Sequence, residues 1–284
     1  MTSSSATIEP QKTQRATLIR RVASRSGMLP AAFVIWRTLR EWTPSLVLRN
    51  RRLRKKHESG IPVPPGNLLF SATGSRDVNW FLSSGESTAS AFREALTSID
   101  RPIESFGKIF ELGSGCGRVL RQWADVKGPR FFASDYNPRG IEWGRSNLPF
   151  VSFAVNKLEP PLPFDDAQFD LCYAVSVFTH LPEHLQEPWL REMRRVTRPG
   201  GMLIVTLSGE GDLVRVTPEE QRRFFAGELV VVDEKFAGTN MCGVYHPESY
   251  VRTHWSPYFR LLRFIPEGAK GSPKQDLYVF ERTA

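Results

Sequence analysis

The sequence predicts an α/β fold: a doubly wound, mostly parallel sheet with one antiparallel strand at its end and helices on both faces. Three observations lead there. Between residues 105 and 210, short apolar runs alternate with amphipathic segments of helix length, the pattern that β-α units produce. The run from Phe169 to Val175 is apolar almost throughout, as a parallel strand covered on both faces has to be. Three glycines, Gly113, Gly115 and Gly117, follow directly on another apolar run, where a strand turns sharply into the next segment.

In chain order, residues 1–27 read as an unstructured tail rich in Ser, Thr and Arg, a composition shared with organellar transit peptides but lacking the apolar stretch of a secretory signal. Met28 to Trp42 has helical spacing, with Phe33, Ile35, Trp36 and Leu39 set against Arg37, Arg40 and Glu41. Pro44 then interrupts, and Ser45 to Lys56 carries a dense basic cluster. Residues 1–60 are therefore read as a basic N-terminal arm and 61–284 as the main domain, joined at the stiff Ile61-Pro-Val-Pro-Pro-Gly66 segment. The domain is expected to begin with a helix at Glu86 to Ile99. Strands follow at Lys108 to Leu112, Phe131 to Ser134, Val151 to Val155, Phe169 to Val175 and Met202 to Leu207. Helices are expected from Arg118 to about Val126, after Pro138, and from Glu183 to Val196. After Ser208 the rhythm breaks. Pro218 to Phe225 and Pro247 to Trp255 read as helices, and Leu229 to Lys235 with Val244 to His246 as a hairpin. Tyr258 to Ile265 and Asp276 to Glu281 read as a closing antiparallel pair. The cofactor core falls at about 105–210 and a substrate or cap segment at about 209–257.

Charge is unevenly spread. Residues 1–56 hold thirteen Lys or Arg against Glu9 and Glu41, a net +11, so a chain of +8 has a body of −3. A slightly acidic body gives no strong nucleic-acid signal, because phosphate binding requires a basic face. The arm itself suits an anionic membrane surface or an acidic partner. Cys116, Cys172 and Cys242 have no metal-binding spacing, so no metal is expected. No apolar run is long enough for a membrane span. A cytoplasmic protein, peripheral at most at a membrane surface, is the expectation.

The glycine turn narrows the ligand. GxGxxG from Gly113 fails at Arg118, GxGxxG from Gly115 fails at Leu120, and no GK[ST] exists, which excludes a dinucleotide fingerprint and a P-loop. Glu111, two residues before the first glycine, would repel a pyrophosphate but suits a cationic amino-acid group. A carboxylate on the same ligand would be accepted at the following helix N-terminus. Asp135 ends the next strand, where an acid reaches ribose hydroxyls across the crevice between parallel strands.

Ile109-Phe-Glu-Leu-Gly-Ser-Gly-Cys-Gly-Arg118 resembles the first motif of class I S-adenosylmethionine-dependent methyltransferases. Ala133-Ser-Asp-Tyr136 resembles the second, Leu162 to Asp170 the approach to the fourth strand, and Ser176 to Leu181 and Arg195 to Gly201 the motifs that follow. The resemblance is close over residues 105–210, looser through Phe280, and excludes the arm. It implies a Rossmann-like, seven-stranded sheet with S-adenosyl-L-methionine as cofactor. Carried over, Glu111, Gly113 and Gly115, with Ser114, Gly117 and Arg118 beside them, hold the methionine end. Asp135, with Tyr136 next to it, takes the ribose. Asn156, beside Lys157, stands where the family often has an Asp for the adenine amino group, and its amide oxygen can accept the same bond. Ser176 faces the cofactor near the transferred methyl.

Methyl transfer from an activated donor mainly needs alignment and exclusion of water, with a base only where the acceptor holds its proton. His180, just after the fourth strand, and His246, in the cap, are the candidate catalytic residues; local packing is the competing role for each. Trp80, Phe81, Tyr245 and Trp255 could form an aromatic acceptor wall or serve the core. The Ser176-Val-Phe-Thr-His-Leu181 pattern resembles that of methyltransferases acting on glycans and secondary metabolites, a resemblance that implies a small molecule or glycan as acceptor, with a hydroxyl as the methylated group. The alternatives are a nucleic-acid or protein methyltransferase docked by the arm, and a non-catalytic cofactor-binding scaffold.

Overall fold

A computed structural model describes residues 43–57, 60–272 and 275–283. The helix expected at Met28 to Trp42, and the tail before it, lie outside the described residues.

Three helices precede the sheet: α1 (Pro44–Lys56), α2 (Gly66–Thr73) and α3 (Val78–Thr97). The sequence does not foreshadow α2, because its prolines read as a linker; Pro65 stands at its N-cap, and Gly74 closes it in the left-handed region. α3 starts eight residues before the expected Glu86. Asp77 caps it by accepting the amides of Asn79 and Trp80. Gly85, just before the expected start, lies inside the helix, and a Cβ there would strike the carbonyl of Arg118. The glycine lets α3 lie against the turn after the first strand.

The strands are β1 (Lys108–Leu112), β2 (Arg130–Asp135), β3 (Val151–Val155), β4 (Phe169–Val175), β5 (Thr197–Ser208), β6 (Val230–Val232), β7 (Gly243–Tyr245), β8 (Arg260–Ile265) and β9 (Gln275–Glu281). The remaining helices are α4 (Pro138–Asn147), α5 (Glu183–Val196), α6 (Pro218–Phe225) and α7 (Glu248–Trp255). β3-β2-β1-β4-β5 are parallel; β9 runs antiparallel beside β5, and β8 lies outside β9.

The fold class is the expected one, with two corrections in the sheet. Nine strands are described rather than seven, because the β6–β7 hairpin joins the sheet through one parallel pair, Ser208 with Tyr245. Two strands, rather than one, run against the parallel set: β6 at the end beyond β7, and β9 beside β5. β9 is buried nearly throughout and takes the inner slot, while β8, with Arg260 and Arg263 exposed, takes the edge. A third correction concerns the helix expected from Arg118 to Val126, which is only a 3-10 turn at Leu120–Trp123. Leu120 and Trp123 are three residues apart and both fully buried, a spacing that suits the tighter winding.

Alternate residues of the central strands feed two cores. Ile109, Leu171 and Tyr173 pack under α3 with Phe92 and Leu96. Phe110, Cys172 and Ala174 pack under α5 with Leu185, Trp189 and Met193. The register sets Leu112 beside Ser134 on one side and Ala174 on the other, so the ends of β1, β2 and β4 open on one crevice.

Trp255 of α7 belongs to the second core. It stacks on Phe280 at 5.5 Å and meets Phe178 at 4.9 Å, fully buried. Trp255→Ala is expected to cost about 3–5 kcal/mol in urea unfolding. Trp255→Phe should cost clearly less, since it keeps the ring contacts and removes an indole N–H that has no partner.

Candidate active site

Glu111 is 3% exposed, one residue from the end of β1, which lies between β2 and β4. β1 and β4 pair Glu111 directly with Tyr173, whose hydroxyl donates to Glu111 Oε2 at 3.1 Å. Trp123 Nε1 donates in turn to the Tyr173 oxygen at 3.0 Å. Burial dominates nonetheless and pushes Glu111 up to about 8; the Tyr173 hydrogen bond and the nearby Arg118 charge oppose the shift, and Asp135 adds to it. A carboxyl held neutral beside a cavity is a latent anion that a cationic ligand would call out.

The chain then turns through Gly113, Gly115 and Gly117, all at positive φ. At Gly113 a Cβ would collide with Val177, and at Gly115 it would lie 2.9 Å from Ala72 Cβ, so the turn fits only as bare backbone. Its amides are committed to β2: Gly113 and Ser114 N–H donate to the Ser134 carbonyl at 2.8 and 3.0 Å. Gly115 N–H donates to Asp135 Oδ2 at 2.7 Å, and Asn137 N–H to Asp135 Oδ1 at 2.8 Å. Burial raises the Asp135 pKa against those two bonds. Each Asp135 oxygen keeps further lone-pair capacity for a hydroxyl donor.

Both acids line one cavity of about 570 Å³. It is also lined by Gly113, Ser114, Gly115, Arg118, Tyr136, Asn156, Lys157, Ser176 and His180. Gly117 does not face it; a Cβ there would meet Leu148, so that glycine serves the packing behind the turn. Because no regular helix follows the turn, an anionic group cannot rest on a helix N-terminus as expected. Arg118, directly after the turn, is a cation on the cavity wall, held by bonds from Nη1 to Ser84 Oγ at 3.1 Å and the Gly271 carbonyl at 3.4 Å.

Two buried polar atoms on the wall, Ser114 Oγ and Asn156 Oδ1, have no partner. Asn156 Nδ2 donates to the Lys157 carbonyl at 2.6 Å, which leaves the amide oxygen as the unmet acceptor. A neutralisable carboxyl, a second carboxylate, a guanidinium and an orphaned amide oxygen around a glycine turn fit the ammonium, ribose, carboxylate and adenine amino group of S-adenosylmethionine in turn.

His180 sits on a 3-10 turn after β4 (Phe178–His180). Its Nδ1 meets the Cys242 carbonyl at 2.6 Å. A carbonyl can only accept, so the ring proton is on Nδ1 and Nε2 is left basic; burial lowers the pKa and keeps the ring neutral. His246, the other histidine candidate, does not line the cavity. It is fully buried against Trp255 and Gln186, with its pKa down to about 3 from burial. Of the four candidate wall aromatics, Trp80 reaches the cavity, while Phe81, Tyr245 and Trp255 are core residues.

Sequence reasoning missed Ser272 and Gln275, which line the cavity from the start of β9. Gln275 Oε1 accepts from Ser176 Oγ at 2.7 Å and Thr206 Oγ1 at 2.8 Å, and so holds Ser176 at its left-handed φ of 58°. Two polar residues, Gln275 and Asp276, opening a buried strand were the available signal.

Residues 110–205 match the family model of the methyltransferase domain. Over this segment the chain is similar to methyltransferase domains. An uncharacterized methyltransferase of Mycobacterium leprae is 32% identical over 101 residues, 34% of this chain and 36% of that protein. A malonyl-[acyl-carrier protein] O-methyltransferase of Erwinia pyrifoliae is 31% identical over 118 residues, 40% of this chain and 42% of that protein. The matches thus span well under half the length of these relatives. The structure of Burkholderia thailandensis 1,6-didemethyltoxoflavin-N1-methyltransferase, with bound 1,6-didemethyltoxoflavin and S-adenosylhomocysteine, shares the fold. It has a TM-score of 0.54 at 13% identity, over 78% of this chain and 92% of that one.

Glu111 makes the ligand-free domain pH-sensitive. Its folded value near 8 exceeds the unfolded value of about 4.3, so between those limits the unfolded chain binds fewer protons and stability falls as pH rises. Urea midpoints should decline across that window in the native protein. The decline should be shallower in Glu111→Gln, which is expected to be the more stable of the two at pH 8.

Proposed function

We propose that this protein is an S-adenosylmethionine-dependent methyltransferase that O-methylates a hydroxyl of a small molecule or glycan. The observation that carries the reading is one cavity bringing Glu111, Asp135 and His180 together around the glycine turn. When bound, the cofactor supplies an electrophilic methyl group on a cationic sulfur. Glu111 answers the positive amino-acid end, Arg118 its carboxylate, Asp135 the ribose hydroxyls and Asn156 Oδ1 the adenine amino group.

On the acceptor side, Trp80, Phe236 and Met241 give an apolar wall, and Ser71, Thr73 and Asn240 give hydrogen-bonding groups. That mixture suits a ring carrying hydroxyls. His180 Nε2 takes the proton that the hydroxyl sheds as its oxygen gains the methyl group, and the Cys242 carbonyl stabilises the imidazolium through Nδ1–H. Both an O-methyltransferase and an N-methyltransferase are named among the relatives, so the choice of oxygen rests on the cavity.

Calorimetric titration with S-adenosylmethionine tests the cofactor half. Asp135→Ala should weaken binding about 10- to 100-fold, the worth of one or two hydrogen bonds to a charged group. Affinity should rise with pH up to about 8, as Glu111 ionises, with a proton released on binding at pH 7. Glu111→Gln should abolish that pH dependence. No binding by the native protein would defeat the proposal.

The catalytic half is read with a labelled methyl donor and a panel of sugars and phenols. His180→Gln should lower turnover about 10²- to 10⁴-fold and remove the acidic limb of the pH–rate profile, with cofactor affinity unchanged. Full turnover in that variant would remove His180 from the chemistry.

A further inference from the structure

The helix α1 has no role in the cavity, yet it is fixed to the domain with care. Asn50 Nδ2 donates to the Arg76 carbonyl at 2.8 Å, and its Oδ1 accepts the Val78 amide at 3.0 Å. Arg54 Nη1 donates to the Val63 carbonyl at 2.8 Å, and Arg49 pairs with Asp77 at 2.5 Å. Leu53 packs on the cluster of Val63, Leu68, Leu69, Val78 and Phe81. One side of the helix is thereby committed, and the other is held outward.

That outer side combines two chemistries. Val47 and Leu48 are 47% and 57% exposed. One turn on, Arg51, Arg52, Lys55 and Lys56 are all exposed, and none pairs with another side chain among the described residues. At 100° per residue, Leu48, Arg51, Arg52 and Lys55 form one stripe, with Val47 and Lys56 along its margins. The helix has no acidic residue, and between residues 10 and 56 the sequence has only Glu41. A strong cationic field thus belongs to one end of a protein whose remainder is −3.

The geometry points to this face of α1 as a docking surface for an anionic phospholipid bilayer. Cations alone would serve a nucleic acid equally well. The apolar pair decides against it, because exposed Val47 and Leu48 gain nothing from a phosphate backbone but gain burial at the acyl boundary. The sequence continues the same combination upstream, with Phe33, Ile35, Trp36, Leu39 and Trp42 interleaved with Arg37 and Arg40. That stretch is too short and too charged to span a membrane, and aromatic residues mixed with Arg suit the headgroup boundary.

Flotation of the full chain with vesicles tests this. It should bind phosphatidylcholine vesicles containing phosphatidylglycerol, not phosphatidylcholine alone, and release as salt is raised. Substituting Arg51, Arg52, Lys55 and Lys56 by Gln should weaken binding about fivefold per charge. Val47→Ser with Leu48→Ser should weaken vesicle binding but leave any RNA binding untouched. S-adenosylhomocysteine affinity and thermal melting should be unchanged in both variants. Absence of vesicle binding, equal binding to neutral vesicles, or RNA binding with vesicle binding insensitive to Val47 and Leu48, would overturn the proposal. The salt and lipid comparisons on the native chain decide it even if a variant fails to fold.

Discussion

A carboxyl group held dry at the end of β1 sets the terms for everything around it. Burying Glu111 costs free energy in the ligand-free protein, and the fold reduces that cost without removing it. The β1–β4 register puts a phenol directly beside the carboxyl, and the 3-10 turn swings Trp123 round to hold that phenol in place. The relay lowers the Glu111 pKa, but burial outweighs it. Without a ligand the carboxyl answers that cost by keeping its proton, and a positively charged ligand would favour its ionised form.

The glycine turn solves the companion problem of space. Donors and walls must approach from α2, α3, α4 and β4 within a few ångströms of the same backbone. A Cβ on Gly140 of α4 would lie 2.7 Å from the Gly115 carbonyl, so even the helix behind the turn has been cleared. Ser176 accepts the opposite bargain. It is not glycine, and its left-handed backbone is maintained by its hydroxyl bond to Gln275 and its amide bond to Thr206. A residue in that conformation persists where its surroundings over-determine it, and here the inner placement of β9 supplies the surroundings.

Those two features divide what could be read in the sequence from what could not. β1, β3 and β4 were legible to the residue, because an apolar run between turn residues is a local signal. Glu111 and Asp135 could be linked in advance because parallel strands of a doubly wound sheet deliver their ends to one crevice. α2 was hidden by a proline-rich segment that reads as a linker, although its last proline, Pro65, stands at the N-cap of the helix. Gln275 and Ser272 lie about a hundred residues from Ser176, and only the insertion of β9 beside β5 brings them there. His246 illustrates the converse: its position in the chain suits a cap residue, but pairing of β7 with β5 carries it under α7 and away from solvent.

Asn156 shows how far the balance of charge governs the site. A third acid at the end of β3 would join Glu111 and Asp135, whose pKa values are already raised, and each further negative charge would raise them more. An amide avoids that repulsion, but it must present oxygen rather than nitrogen to accept a hydrogen bond. The Lys157 carbonyl enforces that choice. It can bond only to the NH₂ group, and at 2.6 Å it fixes the side chain with Oδ1 unpaired. An acceptor facing the cavity is therefore kept while the charge is omitted, and the electrostatic demand of the cavity stays concentrated at Glu111.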